Sequence, residues 1–568
     1  MATGEVHFVG SAQIGAGAYS GDPVSNAFDN VFTTDYASST ASGGWVGLDM
    51  GVAVEVTEFL YAPSLGTPSS TIRVVGLIFK GSNTSGTAGL TTLATIAAVP
   101  FAPCHRNTGI NINLSGTTYR YYILADPGSN YCNVSELGFI GKAGTAANAK
   151  PVQPTIAPWG GRYLSGSATV TLTCRTTSAS IYYTLDGSTP TNASTLYSGP
   201  FSVNCSSADI QLNVIGYDAS LSTPTSLMAT AYFSAKAYVP RADWYDDAGN
   251  TIEAHSGHIL DNTARDGYYY WYGQNCQVGE AAGGDVQGSF GVWCYRSADL
   301  YNWTLRGQLT DNGLSGGTNW GYVIRPHVLY NASTSKYVMW VHAYNSPPGA
   351  SDRAAIATSS SPDTGFTWST VTLNPDGVGY KDSNLFLDTN GTAYVVYTNG
   401  AQSAIVISQL ATDFLSTVAS LSISAGGREA PVLFKRGSTY FLITSASNFY
   451  NSGATYTICY AHSTASNPLS GWSAVPGPGL FSVDPVGGNY NAQPSCMLVV
   501  PNKVDGYLYM ADYWVDATLW TSRQVWLPMT FPTSTTLAPT EPASWDLSTF
   551  ANSSTGVVVE FENLFGQG

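Results

Sequence analysis

The chain has 568 residues, which corresponds to about three to four domains of ordinary size. Its net charge is −15 although only 10% of its residues are charged, and an acidic surface of this kind repels nucleic acid and anionic lipid. No segment holds 18 consecutive apolar residues, which argues against a membrane-spanning helix. We therefore expect a neutral polymer or a small molecule as the partner, with no nucleic acid and no membrane.

The first part of the chain is predicted to form two all-β domains. Residues 1–145 alternate short strands with turns rich in Gly, Ser and Asn, which is typical of a β-sandwich. Residues 141–154 have little bulky apolar content and are predicted to be a linker. Residues 155–235 contain a strictly alternating run, Thr169-Val-Thr-Leu-Thr173, and the hairpin-turn signal Asp186-Gly187. This length and pattern suit a second, small β-sandwich.

A Tyr-led run of aromatic and β-branched residues recurs five times in residues 236–545. The runs are Tyr268-Tyr-Tyr-Trp-Tyr272, Lys336-Tyr-Val-Met-Trp-Val-His342, Ala393-Tyr-Val-Val-Tyr397, Thr439-Tyr-Phe-Leu-Ile-Thr444 and Tyr507-Leu-Tyr-Met-Ala-Asp512. Five four-stranded sheets in this span would contain about 60 residues each, close to the size of a propeller blade with its loops. We therefore predict an all-β chain whose third domain is a five-bladed β-propeller; a large β-sandwich is the alternative. Residues 546–568 are predicted to be a tail ending in the remnant of a cleavage tag.

The eight cysteines fall in even numbers into the predicted domains, without a Cys-x-x-Cys motif or a His-Cys cluster. This distribution favours disulfides in a secreted, extracellular protein over zinc ligation. We expect sequence neighbours to pair. The expected pairs are Cys104–Cys132, Cys174–Cys205, Cys276–Cys294 and Cys459–Cys496.

Two carboxylates that precede apolar strands are candidates for acid catalysis. Glu429 follows Gly426-Gly427-Arg428, and burial at such a position would raise the pKa of its carboxyl group and keep it protonated, as a general acid requires. Asp382 stands in the same way before another apolar strand, and a second carboxylate near Glu429 would raise the pKa of Glu429 and orient it. The alternatives are a surface ion pair of Glu429 with Arg428, and an Asp382 that caps a turn or pairs with Lys381.

Other polar side chains beside strands suggest further roles. Gln493 can orient a water molecule or bind a hydroxyl group, but an amide is a poor proton acceptor. Glu253 is therefore the alternative water-activating base. His255 and His258 have the His-x-x-His spacing of a metal site, but no third ligand is evident nearby. Each of these residues also has a structural alternative, as a loop amide, a solvent-facing carboxylate or buried histidines.

Most of the tryptophans in the third domain are expected to be core residues. Trp320, which lies between glycines, and Trp514 are the two that we expect to stack on sugar rings, because the C–H faces of sugars suit aromatic surfaces.

The motif Ala254-His255-Ser256-Gly257-His258, with Arg325-Pro-His327 and the run that starts at Lys336, resembles glycoside hydrolase family 43, and within it the exo-β-1,3-galactanase group. That family consists of five-bladed β-propeller, inverting glycosidases. The resemblance implies that Glu429 is the general acid, that Asp382 tunes and orients it, and that Gln493 replaces the usual base. The expected substrate-binding residues are His255, Ser256, His258, Arg325, Trp320, Trp514 and Tyr490. Ser256 and Ile324 depart from the pattern of the group, which keeps other specificities within the family open.

The other two domains resemble known accessory domains. Val24-Ser-Asn-Ala-Phe-Asp-Asn30 and Val134-Ser-Glu-Leu-Gly-Phe-Ile140 resemble a discoidin-type jelly roll, which is often a carbohydrate-binding module. A domain of this type can hold a structural calcium ion, although the sequence shows no decisive ligand loop; no cofactor is expected to be required. Ile181-Tyr-Tyr-Thr-Leu-Asp-Gly-Ser-Thr-Pro190 is similar to the chitobiase C-terminal type of domain, commonly a spacer.

The function that follows from the resemblance is inverting, exo-acting release of galactose from β-1,3-galactan, such as the arabinogalactan backbone of plant cell walls, by a monomeric secreted protein. Inversion would place the acid and the water-activating group about 6.5 to 9.5 Å apart. Glu429 and Asp382 should then lie side by side, opposite Gln493. The alternatives are an α-L-arabinofuranosidase or galactofuranosidase of the same family, and a non-catalytic carbohydrate-binding protein.

Overall fold

A computed structural model describes the chain between residues 4 and 553. Segments within this span that are not described are 33, 65–71, 98–107, 129, 143–147, 164–165, 236, 243, 248–250, 275–290, 311–312, 315–317, 320–321, 345–351, 370–372, 376, 378, 448–457, 476, 481–491, 514–522, 541 and 543. The chain divides into two compact units. The first comprises Met1–Lys236, Tyr245–Asn250 and Gln277–Ala281, and the second comprises Ala237–Trp244, Thr251–Cys276 and Ala282–Gly568.

Strands dominate both units, so the all-β prediction is confirmed. The described helical segments are short: three 3-10 turns and one α-helix, α1. They are Val24–Phe28, Ile72–Val74, Leu547–Thr549 and, for α1, Thr263–Asp266. Among the described residues no helix has the length and apolar character needed to span a bilayer.

The first unit begins with two five-stranded sheets that share one apolar core. One sheet has the order β10-β1-β9-β4-β7 and the other the order β2-β3-β8-β5-β6. These strands are β1 (Glu5–Phe8), β2 (Ala12–Gly15), β3 (Trp45–Val54), β4 (Val56–Ala62), β5 (Ile78–Ser82), β6 (Thr91–Thr95), β7 (Thr108–Asn111), β8 (Tyr119–Ala125), β9 (Glu136–Lys142) and β10 (Ala149–Pro151). Phe59 of one sheet stacks on Phe79 of the other with ring centroids 4.2 Å apart, which places the core between the sheets.

Two further sheets of the first unit enclose a second, separate core. Their orders are β11-β13-β16 and β12-β18-β17-β14-β15. The strands are β11 (Thr155–Ala157), β12 (Gly161–Tyr163), β13 (Ser167–Thr173), β14 (Ser180–Thr184), β15 (Thr195–Leu196), β16 (Phe201–Asn204), β17 (Ile210–Tyr217) and β18 (Ala229–Ala235). The alternation seen in the sequence is real, because Val170 and Leu172 of β13 point into this core while the residues between them do not.

The second unit contains five antiparallel sheets that follow one another along the chain, and a small hairpin. The sheets are β19-β20-β21-β22, β25-β26-β27-β28, β29-β30-β31-β32, β33-β34-β35 and β36-β37-β38-β39, here called sheets I to V; β23 and β24 form the hairpin. Sheet I and the hairpin comprise β19 (His255–Asp261), β20 (Tyr269–Gln274), β21 (Val292–Ser297), β22 (Thr304–Thr310), β23 (Gly313–Leu314) and β24 (Thr318–Asn319). Sheets II and III comprise β25 (Tyr322–Asn331), β26 (Lys336–Tyr344), β27 (Arg353–Ser359), β28 (Thr367–Trp368), β29 (Tyr380–Leu387), β30 (Ala393–Asn399), β31 (Ala404–Leu410) and β32 (Thr417–Ser424). Sheets IV and V comprise β33 (Arg428–Arg436), β34 (Thr439–Ala446), β35 (Cys459–Ser463), β36 (Ala492–Val499), β37 (Tyr507–Tyr513), β38 (Arg523–Thr533) and β39 (Thr536–Pro539).

The first strands of the five sheets contact one another in a closed cycle. β19 packs against β25, β25 against β29, β29 against β33, β33 against β36, and β36 returns to β19. Tryptophans support the closure between sheets I and V, because the ring centroid of Trp271 lies 5.0 Å from that of Trp526 and 5.1 Å from that of Trp303. Aromatic pairs at such distances contribute about 0.5–1.5 kcal/mol beyond their burial. The five first strands therefore surround one common axis.

The first residues of the predicted tail belong to the second unit. The backbone N–H of Leu547 donates to the Tyr301 hydroxyl at 2.8 Å, and the ring of Phe550 packs edge-on against Trp545. These contacts hold residues beyond 545 against the sheets.

Two of the predicted disulfides are wrong, because Cys174, Cys205, Cys459 and Cys496 all carry free thiols. Ser167 pairs with Asn204 in the β13–β16 ladder, so Cys174 lies about eight residues, or roughly 25 Å, along the strand from the position opposite Cys205. Bridged residues need Cα atoms within about 7 Å.

The Cys459 thiol lies beside Arg428 in sheet IV, whereas the Cys496 thiol lies against the backbone of Ile259 in sheet I. The other two predicted pairs involve Cys104 and Cys276, which lie outside the described residues.

Candidate active site

A β-bulge interrupts the first strand of every one of the five sheets. The ladder shifts register between His255 and His258, Ile324 and His327, Lys381 and Ser383, Glu429 and Val432, and Pro494 and Cys496. A bulge adds a residue to one strand and redirects the side chains around it. Because the five strands surround one axis, the bulges bring side chains from separate sheets to one place.

Four of the bulges hold a non-glycine residue in the left-handed region of backbone space. The φ angles are 52° at Ser256, 50° at Arg325, 38° at Asp382 and 50° at Ala430. Such a conformation costs of the order of 1–3 kcal/mol per residue and persists only where the surrounding structure enforces it. Three of these four residues are predicted site residues, and Glu429 directly precedes the fourth.

Glu429 is buried at the start of sheet IV and accepts hydrogen bonds from two amides. Gln402 Nε2 donates to Oε2 at 3.1 Å, and Gln493 Nε2 donates to Oε1 at 3.0 Å. Only 5% of the residue is exposed. The expected alternative, an ion pair of Glu429 with Arg428 at the surface, is not the observed arrangement, because the Arg428 guanidinium donates to the hydroxyl and carbonyl oxygens of Thr444.

Arg325 links three of the five sheets through three different nitrogen atoms. Its Nε donates to Asp382 Oδ1 at 3.0 Å, its Nη1 donates to the carbonyl of Pro494 at 3.0 Å, and its Nη2 donates to Gln493 Oε1. Arginine alone offers such a planar set of donors with a permanent charge. The sequence predicted Arg325 as a sugar contact, whereas here it fixes the positions of two other candidate residues.

These contacts determine the orientation of the Gln493 side chain. A guanidinium only donates hydrogen bonds, so the atom that faces Arg325 must be the amide oxygen. The amide nitrogen then faces Glu429 and also donates to Ser445 Oγ at 3.3 Å. Glu429, Gln493, Arg325 and Asp382 thus form one hydrogen-bonded chain, which we call the acid–amide chain.

The order of this chain differs from the expected arrangement in two respects. Gln493 lies beside Glu429 at hydrogen-bond distance and not across a gap from it. Asp382 reaches the site through its ion pair with Arg325, whose side chain lies between Asp382 and Gln493. The physical reason is the buried guanidinium, which attracts the Asp382 carboxylate and the Gln493 carbonyl together.

His255 and Ser256 lie at the bulge of sheet I, beside a carboxylate that sequence reasoning did not select. Asp512 Oδ2 accepts the backbone N–H of Ser256 at 2.9 Å, and Asp512 Oδ1 lies 3.9 Å from His255 Nδ1. Burial, and secondarily the charge of Arg325, lower the pKa of His255 to about 3. Burial raises the pKa of Asp512 to about 7, although Arg325, Gln524 and the Ser256 N–H act in the opposite direction.

His258 is a core residue of the ring. Its Nδ1 accepts the backbone N–H of Val328 at 3.3 Å, and its ring lies 4.7 Å from that of His327. Burial lowers the pKa of His258 to about 3, so it is neutral. The described contacts of His258 are therefore with the protein, and its expected contact with a sugar stays a prediction. No group of three or more potential metal ligands occurs in the part of the chain that the structure describes.

The remaining predicted residues are only partly accounted for. Glu253 is buried just before β19, and its backbone N–H donates to the Tyr295 hydroxyl at 3.1 Å. Trp320, Tyr490 and Trp514 lie outside the described residues.

Sequence reasoning missed Gln402, Ser445 and Asp512. Asp512 ends the last of the five Tyr-led runs, and Ser445 follows the fourth, so the common signal was a polar residue at the end of a buried second strand. Gln402 carried no such signal, because it follows β30 in a turn with a φ of 53°.

Comparison with known proteins identifies two of the domains. Residues 261–511 match the model of glycosyl hydrolases family 43, and residues 158–226 match that of the chitobiase/beta-hexosaminidase C-terminal domain. No curated protein matches the chain.

Several solved structures are similar to this chain. An exo-beta-1,3-galactanase from Clostridium thermocellum is 32% identical, with 55% of this chain and 67% of that chain covered and a TM-score of 0.47. A family 43 beta-1,3-galactosidase is 28% identical, with 55% and 64% covered and a TM-score of 0.49. An exo-beta-1,3-galactanase from Phanerochaete chrysosporium, solved with beta-1,3-galactotriose, is 26% identical, with 56% and 71% covered and a TM-score of 0.47. This chain thus spans about two thirds of the length of the first two.

The family match begins at Asp261, the last residue of β19, covers the other four first strands and includes every residue of the acid–amide chain. Together with the 32% identity, it shows that the chain belongs to glycosyl hydrolase family 43 and that it also carries a chitobiase C-terminal domain.

Proposed function

We propose that the protein is an inverting, exo-acting hydrolase of β-1,3-galactan, and that its five sheets are the blades of a propeller with the acid–amide chain at the centre. The observation that carries the proposal is the buried Glu429, which lies at a bulge of a family 43 domain and is held by the amides of Gln402 and Gln493. The sequence identity with an exo-beta-1,3-galactanase supports the choice of substrate.

In this reaction Glu429 protonates the glycosidic oxygen while the bond from that oxygen to the anomeric carbon breaks. A water molecule attacks the anomeric carbon from the opposite face and loses a proton. An amide N–H that donates to Glu429 favours the ionised carboxylate, and Gln402 and Gln493 each donate one, so movement of Gln493 away from Glu429 when the sugar binds would favour the protonated acid. The separation would free the Gln493 amide to hold the attacking water.

We propose Gln493 as the base, and this role depends on the contact between Arg325 and the Gln493 amide. The guanidinium donates to Gln493 Oε1 and stabilises the ordinary amide form, which has no basic nitrogen. A proton relay through the imidic-acid form of Gln493 therefore requires that Arg325 releases this oxygen. Otherwise the proton goes to another group, for which Glu253 is the candidate.

Exchange of Gln493 for alanine is expected to lower kcat on a β-1,3-galactan by about 10²-fold or more, as loss of a base does. Glu253→Gln is the matched comparison, and this variant should lose less than tenfold in kcat on the same substrate. Steady-state kinetics of both variants on galacto-oligosaccharides test this. A Glu253→Gln variant without turnover, next to an active Gln493→Ala variant, would assign the base to Glu253.

Product analysis tests the function itself. We expect the protein to release galactose from the non-reducing end of β-1,3-galactan, and NMR during the first turnovers to show the α-anomer. Ile324, at the position where we expected an acidic residue, keeps an α-L-arabinofuranosidase or galactofuranosidase open as the second candidate. Release of arabinose or of furanosidic galactose from a polymer panel would support that candidate. Binding to galactan without release of any reducing sugar would instead support a non-catalytic carbohydrate-binding protein.

We also propose that the first unit binds a calcium ion near the 3-10 turn Val24–Phe28, as a discoidin-type domain can. Asp29 Oδ1 and Glu136 Oε1 both accept the backbone N–H of Val31, at 2.8 and 2.9 Å. Burial and the neighbouring Asp29 raise the pKa of Glu136 to about 8. Two carboxylates held together in this way offer oxygen ligands whose repulsion a calcium ion would relieve.

Millimolar calcium is accordingly expected to raise the melting temperature of the first unit by a few degrees. Glu136→Gln should remove the effect, while Glu55→Gln, a carboxylate paired with Lys142 on the same sandwich, should preserve it. An equal response of the wild type and Glu136→Gln would contradict the calcium proposal. We further propose that the protein is secreted and acts as a monomer on arabinogalactan of plant cell walls.

A further inference from the structure

Asp512 is a buried carboxylate beside the acid–amide chain that the proposed reaction does not use. It lies on β37, where its ladder partners are Gln493 on β36 and Gln524 on β38. Only 1% of the residue is exposed. Burying an ionisable carboxyl group is costly, so such a group is usually paired or has a function.

The contacts of Asp512 reach across the closure of the ring. Its Oδ2 accepts the backbone N–H of Ser256, which belongs to the bulge of sheet I, whereas Asp512 itself belongs to sheet V. Ser256 has a φ of 52°, a strained conformation that needs enforcement from its surroundings. The Asp512 carboxylate supplies it directly.

The same carboxylate faces the side chain of His255. Asp512 Oδ1 and His255 Nδ1 are 3.9 Å apart, and both residues are buried. The position of the proton on a neutral imidazole depends on what its nitrogen atoms face. A carboxylate at this place favours a proton on Nδ1, while a protonated carboxyl group favours an unprotonated Nδ1.

The charged group that Asp512 senses most strongly is Arg325, the hub of the acid–amide chain. The groups around the carboxyl are therefore His255 on β19, Arg325 on β25, the Gln524 amide on β38 and the Tyr509 phenol on its own strand. Arg325 carries one positive charge and its only ion pair among the described contacts is with Asp382, so an ionised Asp512 adds a second negative charge nearby.

From this geometry we propose that Asp512 is a positioning residue of the proposed galactan site. Its carboxyl group holds the His255–Ser256 bulge in place, and its ionisation, which the charge of Arg325 favours, determines which ring nitrogen of His255 carries the proton. The inference rests on the proposed function only for its substrate. It assigns no chemical step to Asp512, because the carboxyl group is buried and acts through His255 and Ser256.

Neutralising Asp512 should separate its effect on stability from its effect on substrate binding. The folded protein binds the Asp512 proton more tightly than the unfolded chain does. The free energy of unfolding therefore falls as the pH rises from 3.8, the ordinary pKa of an aspartate, to about 7, the pKa of Asp512 in the folded protein. Asparagine has the same shape, keeps an oxygen for the Ser256 N–H and never ionises. Asp512→Asn should therefore melt at or above the temperature of the wild type at about pH 8, and still bind substrate less well.

The experiment compares the wild type with Asp512→Asn and with the control Asp388→Asn. Asp388 is an equally buried carboxylate, but burial is outweighed there by hydrogen bonds from Lys435 and Tyr440, which hold its pKa below the ordinary value. We expect Asp512→Asn to raise KM for a β-1,3-galacto-oligosaccharide about tenfold or more, with a smaller change in kcat. The inflection of kcat/KM near pH 7 in the wild type should disappear in this variant. The Asp388→Asn variant should melt at a lower temperature than the wild type, but its kcat/KM and the pH dependence of kcat/KM should be unchanged.

A second readout keeps the inference separate from the proposed function. Histidine side-chain NMR, with the His255 signal assigned through a His255→Gln variant, should show a tautomer change near pH 7 in the wild type and none in Asp512→Asn. If the wild type hydrolyses no galactan but shows this change, the substrate assignment fails and the positioning role of Asp512 stands. An Asp512→Asn variant with unchanged kinetics and an unchanged His255 titration would overturn the inference. Parallel loss of melting temperature and activity, as for a structural residue, would overturn it as well.

Discussion

Glu429→Gln is expected to lower kcat on β-1,3-galactan by about 10³-fold, because a general acid contributes roughly 10²–10⁴-fold to such a reaction. Glutamine keeps the shape of the side chain and offers oxygen and nitrogen to Gln402 and Gln493, so the protein should remain folded. Initial rates of galactose release from a galacto-oligosaccharide, together with the melting temperature, measure the effect.

A substrate that needs no acid separates this role from others. A dinitrophenyl β-galactoside has a leaving group that departs without protonation, so Glu429→Gln should lower its kcat less than tenfold by the same reasoning. Equal losses on the dinitrophenyl galactoside and the galacto-oligosaccharide would show that residue 429 does not act as the acid.

Arg325→Met is expected to cost about 3 kcal/mol of unfolding free energy, because it leaves the half-buried Asp382 carboxylate without its partner. For a domain of this size the melting temperature should fall by roughly 10 °C. The folded fraction should lose about 10²-fold in kcat/KM, because Gln493 loses the donor that orients its amide. Thermal denaturation and kinetics on the same preparation measure both effects.

The matched control is Arg436→Met, which removes a bidentate ion pair with Asp505 at 2.7 and 2.8 Å. This pair is at the surface of the same unit, and exposed ion pairs contribute at most about 1 kcal/mol. Similar losses in the Arg436→Met and Arg325→Met variants would mean that Arg325 is an ordinary ion pair and not the hub of the site.

The sequence predicted the architecture of the second unit because burial leaves a mark on composition. Each of the five Tyr-led runs is the second strand of one of the five sheets, namely β20, β26, β30, β34 and β37. These strands are buried on both faces, so they read as continuous apolar runs and not as alternating ones.

The sequence predicted several residues of the candidate site but not their geometry. Glu429, Asp382 and Gln493 do belong to one connected group, but the sequence gives no indication of the bulges that redirect them. A bulge depends on the register of two strands, and a single extra residue leaves no pattern in composition. The central position of Arg325 was missed for this reason, since its guanidinium finds its partners on two other strands, β29 and β36, that are far from β25 and from each other in sequence.

The disulfide prediction failed for a similar reason. Cysteine counting assumes that neighbours in sequence are neighbours in space, whereas the β13–β16 ladder places Cys174 and Cys205 at opposite ends. The register of the two strands determines which residues face each other, and the number and spacing of the cysteines in the sequence do not reveal that register.

A crystal structure of the Glu429→Gln variant with β-1,3-galactotriose would test most directly whether the acid–amide chain is the catalytic site. We expect the glycosidic oxygen of the non-reducing galactose within hydrogen-bond distance of the side chain of residue 429. The Gln493 amide should have moved to the opposite face of the anomeric carbon, with Arg325 and Asp382 still paired. A sugar bound elsewhere on the protein, with the contact between residues 429 and 493 intact, would contradict the proposal that the acid–amide chain is the catalytic site.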